Sequence, residues 1–446
     1  MSSHIWIYIS ISLLAAPLGG CDYKNDPNHC SDNPHMNCME GPIACEADRD
    51  CPTTAQVCDV ASSKICVQCT AEKHDACSGT TPICAENACR GCAAHLDCQD
   101  SSACLSDGRC ASPGEVAYVK AGGTGGPPCT EAMPCGSLQE GIDTGLPYVK
   151  IAAGTLDGVT TIAGRVVTIL ADPGARLTRS SHGVILEVRD DNTDVKISDL
   201  EISGATGTGA VGIAVGALGG VPKLTLTHVL VGNNSGGGIS LGGGSLVVSQ
   251  SVIAANQGGG IRTAGGALVV SRSTIGGNQG GGISISGLNP TFDITNSYII
   301  QNGDQTQGTF GGVSLDFVQP GQNRLEFNTI VDNRSAQGSA GVICHVGTFA
   351  APNNIVARNM LGASTTTPEA QISVGGCTYP SSRVQNDLAG LMLEHPDPPG
   401  MPSYKVMRGS TAIDQATTPS DIVVDLDGDP RPSGNGKDIG ADELPQ

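Results

Sequence analysis

Short β-branched runs alternate with glycine- and asparagine-rich breaks through the middle of the chain, and the alternation is periodic. Leu224, Leu246 and Leu268 stand twenty-two residues apart, as do Asn234, Asn256 and Asn278, and Ile239, Ile261 and Ile283. The glycine triplets at 236–238, 258–260 and 280–282 keep the same spacing. No run has the length or the 3.6-residue apolar period of a helix, so the pattern predicts strands joined by turns. A unit this short cannot bury an apolar face alone. Stacking successive coils at about 4.8 Å, each strand bonded to its equivalent in the next coil, removes that difficulty. The predicted fold is an all-β parallel β-helix of ~22-residue coils.

Alternation in Leu224 and Leu226, Leu246 and Val248, and Leu268 and Val270 points one side of each strand inward, where like residues pile into aliphatic columns. Asparagine tolerates a left-handed corner, and its amide can bond the Asn above and below, so Asn256 is expected to be a stacked corner residue between Asn234 and Asn278. The glycines are assigned to further corners with positive φ. Gln257 and Arg262 are placed outward. The rhythm continues to Asn302, Asn333 and Asn359, and upstream at residues 195–204 without the asparagine. From about residue 115 onward there is room for about a dozen coils, with longer loops such as 303–308.

Composition narrows the class. Sixty-two glycines in 446 residues, 3% aromatic and 15% charged residues suit neither a doubly wound enzyme nor a disordered chain. The net charge of −19 argues against nucleic acid or an anionic membrane face as a partner, and reads as an ordinary acidic extracellular surface.

Residues 5–20 are apolar and uncharged, long enough for the core of a signal peptide and short for a membrane span. Leu18-Gly19-Gly20-Cys21 then resembles the lipobox of bacterial lipoproteins. The resemblance implies cleavage after residue 20, lipidation of Cys21, and tethering to the outer membrane or cell surface.

Setting Cys21 aside leaves 18 of the 19 cysteines, fourteen of them between Cys30 and Cys110. Three quartets repeat: Cys45, Cys51, Cys58, Cys66; then Cys69, Cys77, Cys84, Cys89; then Cys92, Cys98, Cys104, Cys110. Cys30 and Cys38 remain as a pair. The C-x2-C units Cys66 to Cys69 and Cys89 to Cys92 imitate a zinc ribbon, but they are only the junctions between quartets. Behind an export signal, in a stretch poor in aliphatic residues, disulfides are expected instead, two per quartet with the pairing open. The stretch resembles small cysteine-rich modules, loosely Dickkopf-like or EGF-like, behind the anchor of myxobacterial surface proteins. Three segments follow: 1–20 as signal peptide, 21–112 as disulfide-rich region, and 113–446 as β-helix.

The segment from Tyr118 to Asp143 resembles the opening of bacterial right-handed β-helix proteins: a strand, a glycine-rich loop, and a short helix with Ser137 at its N-cap. Cys129 and Cys135 would staple the loop, and Cys344 and Cys377 would join late coils. At the carboxyl end, residues 410–414, 425–432 and 438–443 resemble the closing motif of β-helix proteins of the choice-of-anchor group. Asp425, Asp427 and Asp429 offer hard oxygen ligands that could suit calcium, yet the EF-hand pattern is broken. A structural turn with a salt bridge to Arg431 is the preferred reading, and no cofactor is assigned.

Catalytic motifs are present only in fragments. Asn192-Thr193-Asp194 copies the first motif of polygalacturonases, but its companions are missing: no Asp-Asp pair follows, Ser181-His182-Gly183 precedes it, and no Arg-x-Lys lies downstream. Arg262 and Arg272 read as solvated outward residues, and His228 and His345 as isolated ones. The single tryptophan, Trp6, lies in the signal segment, so no aromatic platform for sugars stands out. The sequence therefore points to a lipid-anchored surface module for interaction, adhesion or structure, with a polysaccharide or surface protein as ligand and no catalytic residues assigned. The alternative is a polysaccharide lyase or glycoside hydrolase of the pectin-degrading β-helix type.

Overall fold

The structure is a computed structural model that describes residues 42–445 except 218, 288–289, 317–322, 346–348, 363–366, 374 and 395–402. The signal segment, Cys21, Cys30 and Cys38 lie outside the described residues. The chain divides into two compact units, one extending to Cys77 and including Cys84–Cys89, the other made of Ser78–Ile83 and everything from Arg90 onward.

The first unit is held by crosslinks. Cys45 bonds Cys58, Cys51 bonds Cys66, Cys69 bonds Cys84 and Cys77 bonds Cys89. Each quartet thus pairs its first cysteine with its third and its second with its fourth. The closed loops span 12 to 15 residues, each contributing about 3 kcal/mol on the loop-entropy argument. The two cysteines of the Cys66 to Cys69 junction belong to different quartets, which is why the spacing imitates a metal site.

In the second unit the third quartet repeats the pairing, Cys92 with Cys104 and Cys98 with Cys110. It packs on the solenoid's opening: Ala103, Leu105 and Ala111 bury against Val116, Tyr118 and Leu170, and the Tyr118 hydroxyl donates to the Ser101 carbonyl at 3.0 Å.

The solenoid is a right-handed parallel β-helix with three sheets of nine, ten and eight strands. One coil runs Lys223–Thr227 in the first sheet, Leu230–Gly232 in the second and Gly237–Leu241 in the third. Eight coils give a strand to all three sheets among the described residues. The estimate of a dozen was too high because only the middle coils keep the short period: ladder partners Asn302 and Asn333 are 31 residues apart. Beyond Arg383–Gln385 the chain also stops adding strands to these sheets among the described residues. Register is in phase with the repeat, with Leu224 opposite Leu246 and Leu246 opposite Leu268, all fully buried. The helix Leu138–Asp143 seats Leu138 and Ile142 in the core at the opening end, and Ser137 caps it through a reciprocal bond with Glu140. Cys129 bonds Cys135 beside it, and Cys344 bonds Cys377 at the far end.

The asparagines form a continuous buried ladder. Asn234, Asn256, Asn278, Asn302 and Asn333 each donate from Nδ2 to the next Oδ1 at 2.8 to 3.0 Å, and Asn359 closes the series on Gln371 Oε1 at 2.9 Å. The left-handed corner, however, belongs to the preceding residue: Asn233, Ala255, Gly277 and Gln301 have φ of 55–65°. That residue turns the chain, which lets the next amide point inward. The glycine triplets also differ from the expectation of uniform corners. Gly259 does have positive φ, but Gly260 is required for space, since a Cβ there would stand 2.6 Å from Gly282 O and 3.0 Å from Asn278 Nδ2.

A second ladder lines the other corner, where Ser251, Ser273, Ser297, Asn328 and Asn354 accept backbone N–H groups from one coil to the next.

The carboxyl-terminal segment lies against the outer face of the second sheet. Tyr298, Ile300, Val331, Ile355 and Ala357 point outward, yet are buried under Leu391, Leu393, Tyr404, Val406, Ala412, Ile439 and Ala441.

Candidate functional site

A concavity of about 820 Å³ lies along the outer face of the third sheet. Strand alternation builds it. Ile261 and Thr263 point inward and are buried, so Arg262 must point out, and register stacks Ser240, Arg262, Ser284 and Ser314 in one column. Asp316 and His345 follow the inward Leu315 and Cys344 and stand next to each other in a second column, His345 Nε2 lying 3.5 Å from Asp316 Oδ1. Glycines 236–237, 258–259 and 280–281 form one wall, and Phe310 packs over Gly281, where a Cβ would come within 2.4 Å of the ring. Arg262 is exposed and, among the described residues, has no hydrogen bond or ion pair.

A smaller cavity of about 570 Å³ sits on the second sheet, lined by Asp332, Arg334 and Arg358 among others. One of its two arginines is tied up in an ion pair. Arg358 bonds both oxygens of Asp332, at 2.5 and 2.6 Å, and the Tyr404 hydroxyl donates to the same carboxylate. This ion pair anchors the carboxyl-terminal segment.

The residues singled out from sequence fall in several places. Arg262 and Gln257 are exposed. Arg272 is not a free surface residue: it occupies a corner with φ 50°, and its Nε donates to Leu426 O at 3.1 Å, beneath the carboxyl-terminal segment. His228 and His345 are not isolated, since each faces an aspartate of the adjacent coil, Asp199 and Asp316. Asn192-Thr193-Asp194 is a corner, with Asn192 at φ 61° and the buried Thr193 hydroxyl donating to Arg189 O at 2.6 Å.

The carboxyl-terminal acids also rearrange. Arg431 pairs with Glu443 at 3.0 Å, and not with Asp425, Asp427 or Asp429. Asp425 caps the turn by accepting from Gly428 N and Asp429 N, both at 2.8 Å. Asp425 and Asp427 converge with Asp442, and Asp429 is outside that group. Burial pushes the Asp442 carboxyl up to about 7, although the Val406 N–H at 2.6 Å opposes it.

The sequence does not mark the Asp316–His345 pair, because its signal is only a register coincidence 29 residues apart across a coil of irregular length.

Residues 182–377 match the family described as "Right handed beta helix region". Among solved structures, the crystal structure of pectate lyase Pel9A is similar at a TM-score of 0.49 and 15% identity, covering 74% of this chain and 96% of that one. No curated protein sequence matches.

Proposed function

We propose that this β-helix is an extracytoplasmic interaction module, tethered through Cys21, whose third-sheet groove holds an extended hydroxyl-rich polymer such as a polysaccharide strand. The observation that carries the reading is Arg262: an exposed, uncommitted guanidinium in a column of serines that runs along the coil axis. Serine hydroxyls both donate and accept, and an arginine offers five donors in a fixed fork, a set suited to sugar hydroxyls or carboxylates. The glycine wall leaves room for a backbone-close approach. The disulfides and the Leu18 to Cys21 signal support an exported, lipid-held protein.

Binding to a panel of immobilised polysaccharides tests this. Arg262→Ala should weaken retention at least about tenfold, the loss of one charged hydrogen bond being about 1.5–3 kcal/mol. Wild-type protein retained by none of the panel, or retained equally by Arg262→Ala, would sink the reading. For the tether, Cys21→Ala should move the protein from the detergent phase into the soluble fraction.

The His345–Asp316 pair favours a second reading, a lyase in which His345 takes the proton next to a uronate carboxylate, the glycosidic C–O bond breaks as the C=C bond forms, and the proton passes to the departing oxygen. Two-carboxylate hydrolysis is less suited to the groove, because Asp316 is the one carboxylate among its described lining residues. Unsaturated products from anionic polysaccharides, lost in His345→Ala and kept in Arg262→Ala, would favour the lyase over the binding module.

A further inference from the structure

Three acids that the sequence does not group, Asp425, Asp427 and Asp442, bring carboxylate oxygens within 4.8 Å of one another. Oxygens that all bind one calcium ion at about 2.4 Å lie at most about 4.8 Å apart, so the trio has the dimensions of one coordination shell. Asp425 is fully buried and Asp442 is 5% exposed. Both are pre-positioned by backbone: Asp425 accepts from Gly428, Asp429 and Glu443 N–H groups, and Asp442 Oδ2 from Val406 N–H. Asp427 is more exposed and is held by Lys405 Nζ at 2.6 Å.

A second observation, independent of the acids, points to a missing partner. The Tyr298 hydroxyl is buried, its residue only 5% exposed, and among the described residues it makes no hydrogen bond. Tyr298 shares one buried cluster with Ala441, and Leu426 packs against that cluster, so the ring lies among the immediate chain neighbours of Asp442, Asp425 and Asp427. A buried hydroxyl without a partner beside converging carboxylates calls for a polar group, and among the described residues the Lys405 ammonium pairs with only one of the three acids, Asp427.

We propose that Asp425, Asp427 and Asp442 form a calcium site that locks the carboxyl-terminal segment onto the second sheet, with a calcium-bound water facing the Tyr298 hydroxyl. All-oxygen, carboxylate-rich coordination selects a hard divalent cation, and a site assembled from two loops with one exposed ligand, Asp427, suits calcium over the stricter octahedron of magnesium. The ion displaces the half-exposed Lys405 ammonium from Asp427. Asp425 and Asp427 come from one turn and Asp442 from the last described residues, so the ion ties the two stretches together.

Terbium is the probe, because tyrosine sensitises its emission and Tyr404 immediately precedes Lys405 and Val406, which contact Asp427 and Asp442. Full-length protein should give saturable terbium emission that calcium competes away, and calcium should raise Tm. Asp427→Asn, which touches no backbone group, should weaken binding about 10–100-fold without loss of fold, and Asp442→Asn should do the same. Asp429→Asn should not. The site is overturned if wild-type protein shows no saturable emission and no calcium-dependent Tm, or if Asp429→Asn weakens binding as much as Asp427→Asn. Equal competition by magnesium would overturn the calcium assignment. None of these readouts depends on the third-sheet groove.

Discussion

Asn256 donates from Nδ2 to Asn278 Oδ1 at 2.8 Å while its own Oδ1 accepts from Asn234 Nδ2 at 2.9 Å, so one amide holds three successive coils. The same side chain also takes the Asn234 backbone N–H and donates to Val231 O. Every one of these groups is buried.

Replacing Asn256 therefore strands several polar groups together. At about 1–3 kcal/mol for each buried group left unmet, Asn256→Leu should cost at least about 3 kcal/mol in chemical denaturation. Asn256→Gly should cost as much: Ala255, at φ 56°, already makes the corner, so a flexible residue at 256 rescues nothing. Ala255→Gly is the matching control and should be neutral or slightly stabilising, because glycine removes the left-handed strain of alanine. Should Asn256→Gly prove mild while Ala255→Gly is harmful, the division of labour at the corner is reversed.

Gly260 supplies the space in which that ladder sits. An alanine there would bring Cβ to 2.6 Å from Gly282 O and 2.9 Å from Ile275 Cγ2, and the carbonyl belongs to a ladder that cannot retreat without parting two coils. Gly260→Ala should cost about 3 kcal/mol, the upper end for overpacking. The exposed Arg262→Ala, two residues on, should change stability by less than about 0.5 kcal/mol. Thermal denaturation of the two variants side by side checks the inward and outward phase of the third sheet.

What the chain discloses by itself follows from repetition. Leu224, Asn234 and Ile239 repeat with identical residue types at one spacing, so the aliphatic columns and the amide ladder could be read before any coordinates. The serine ladder could not, since Ser251, Ser273 and Ser297 give way to Asn328 and Asn354 and the spacing drifts. Arg272 and Leu426 meet across 154 residues, and no local pattern encodes that contact. The acids show the same limit: Asp425, Asp427 and Asp429 attract notice as a run, but the backbone turn sends Asp429 away and folds Asp442 in.

His95 gives a pH signature. Its pKa is lowered to about 4, mainly by burial and then by the nearby Lys150 ammonium, with Asp172 opposing. Its Nδ1 accepts the Cys104 N–H at 3.0 Å, which requires an unprotonated nitrogen. The unfolded chain, near 6.5, binds more protons than the folded one between about pH 4 and 6.5. Stability is then fully present above about pH 6.5 and is lost as pH falls toward 4, by at most about 3 kcal/mol for this residue. His95→Gln, which can still accept at that position, should flatten the profile in that window. An unchanged slope would show that other groups carry the acid sensitivity.

Arg431 and Glu443 make a buried pair, their side chains 0% and 1% exposed. The guanidinium also donates to Asp438 O and Gly440 O and lies 4.4 Å from the centre of the Phe327 ring, so it organises the whole carboxyl-terminal turn. Burial pushes Arg431 down and Glu443 up, which means desolvation takes back much of the attraction between them. The pair is thus worth little net, while breaking it is costly. Arg431→Met should lose about 3–5 kcal/mol because it leaves the Glu443 carboxylate and two carbonyls unmatched. Glu443→Gln should lose less, its oxygen still accepting from Ser433 N or Asp438 N. Combining Arg431→Met with Glu443→Leu should recover part of the loss, a coupling measurable by a double-mutant cycle in urea with the disulfides intact. Strict additivity of the two changes would mean that Arg431 acts through its carbonyl and ring contacts and not through the carboxylate.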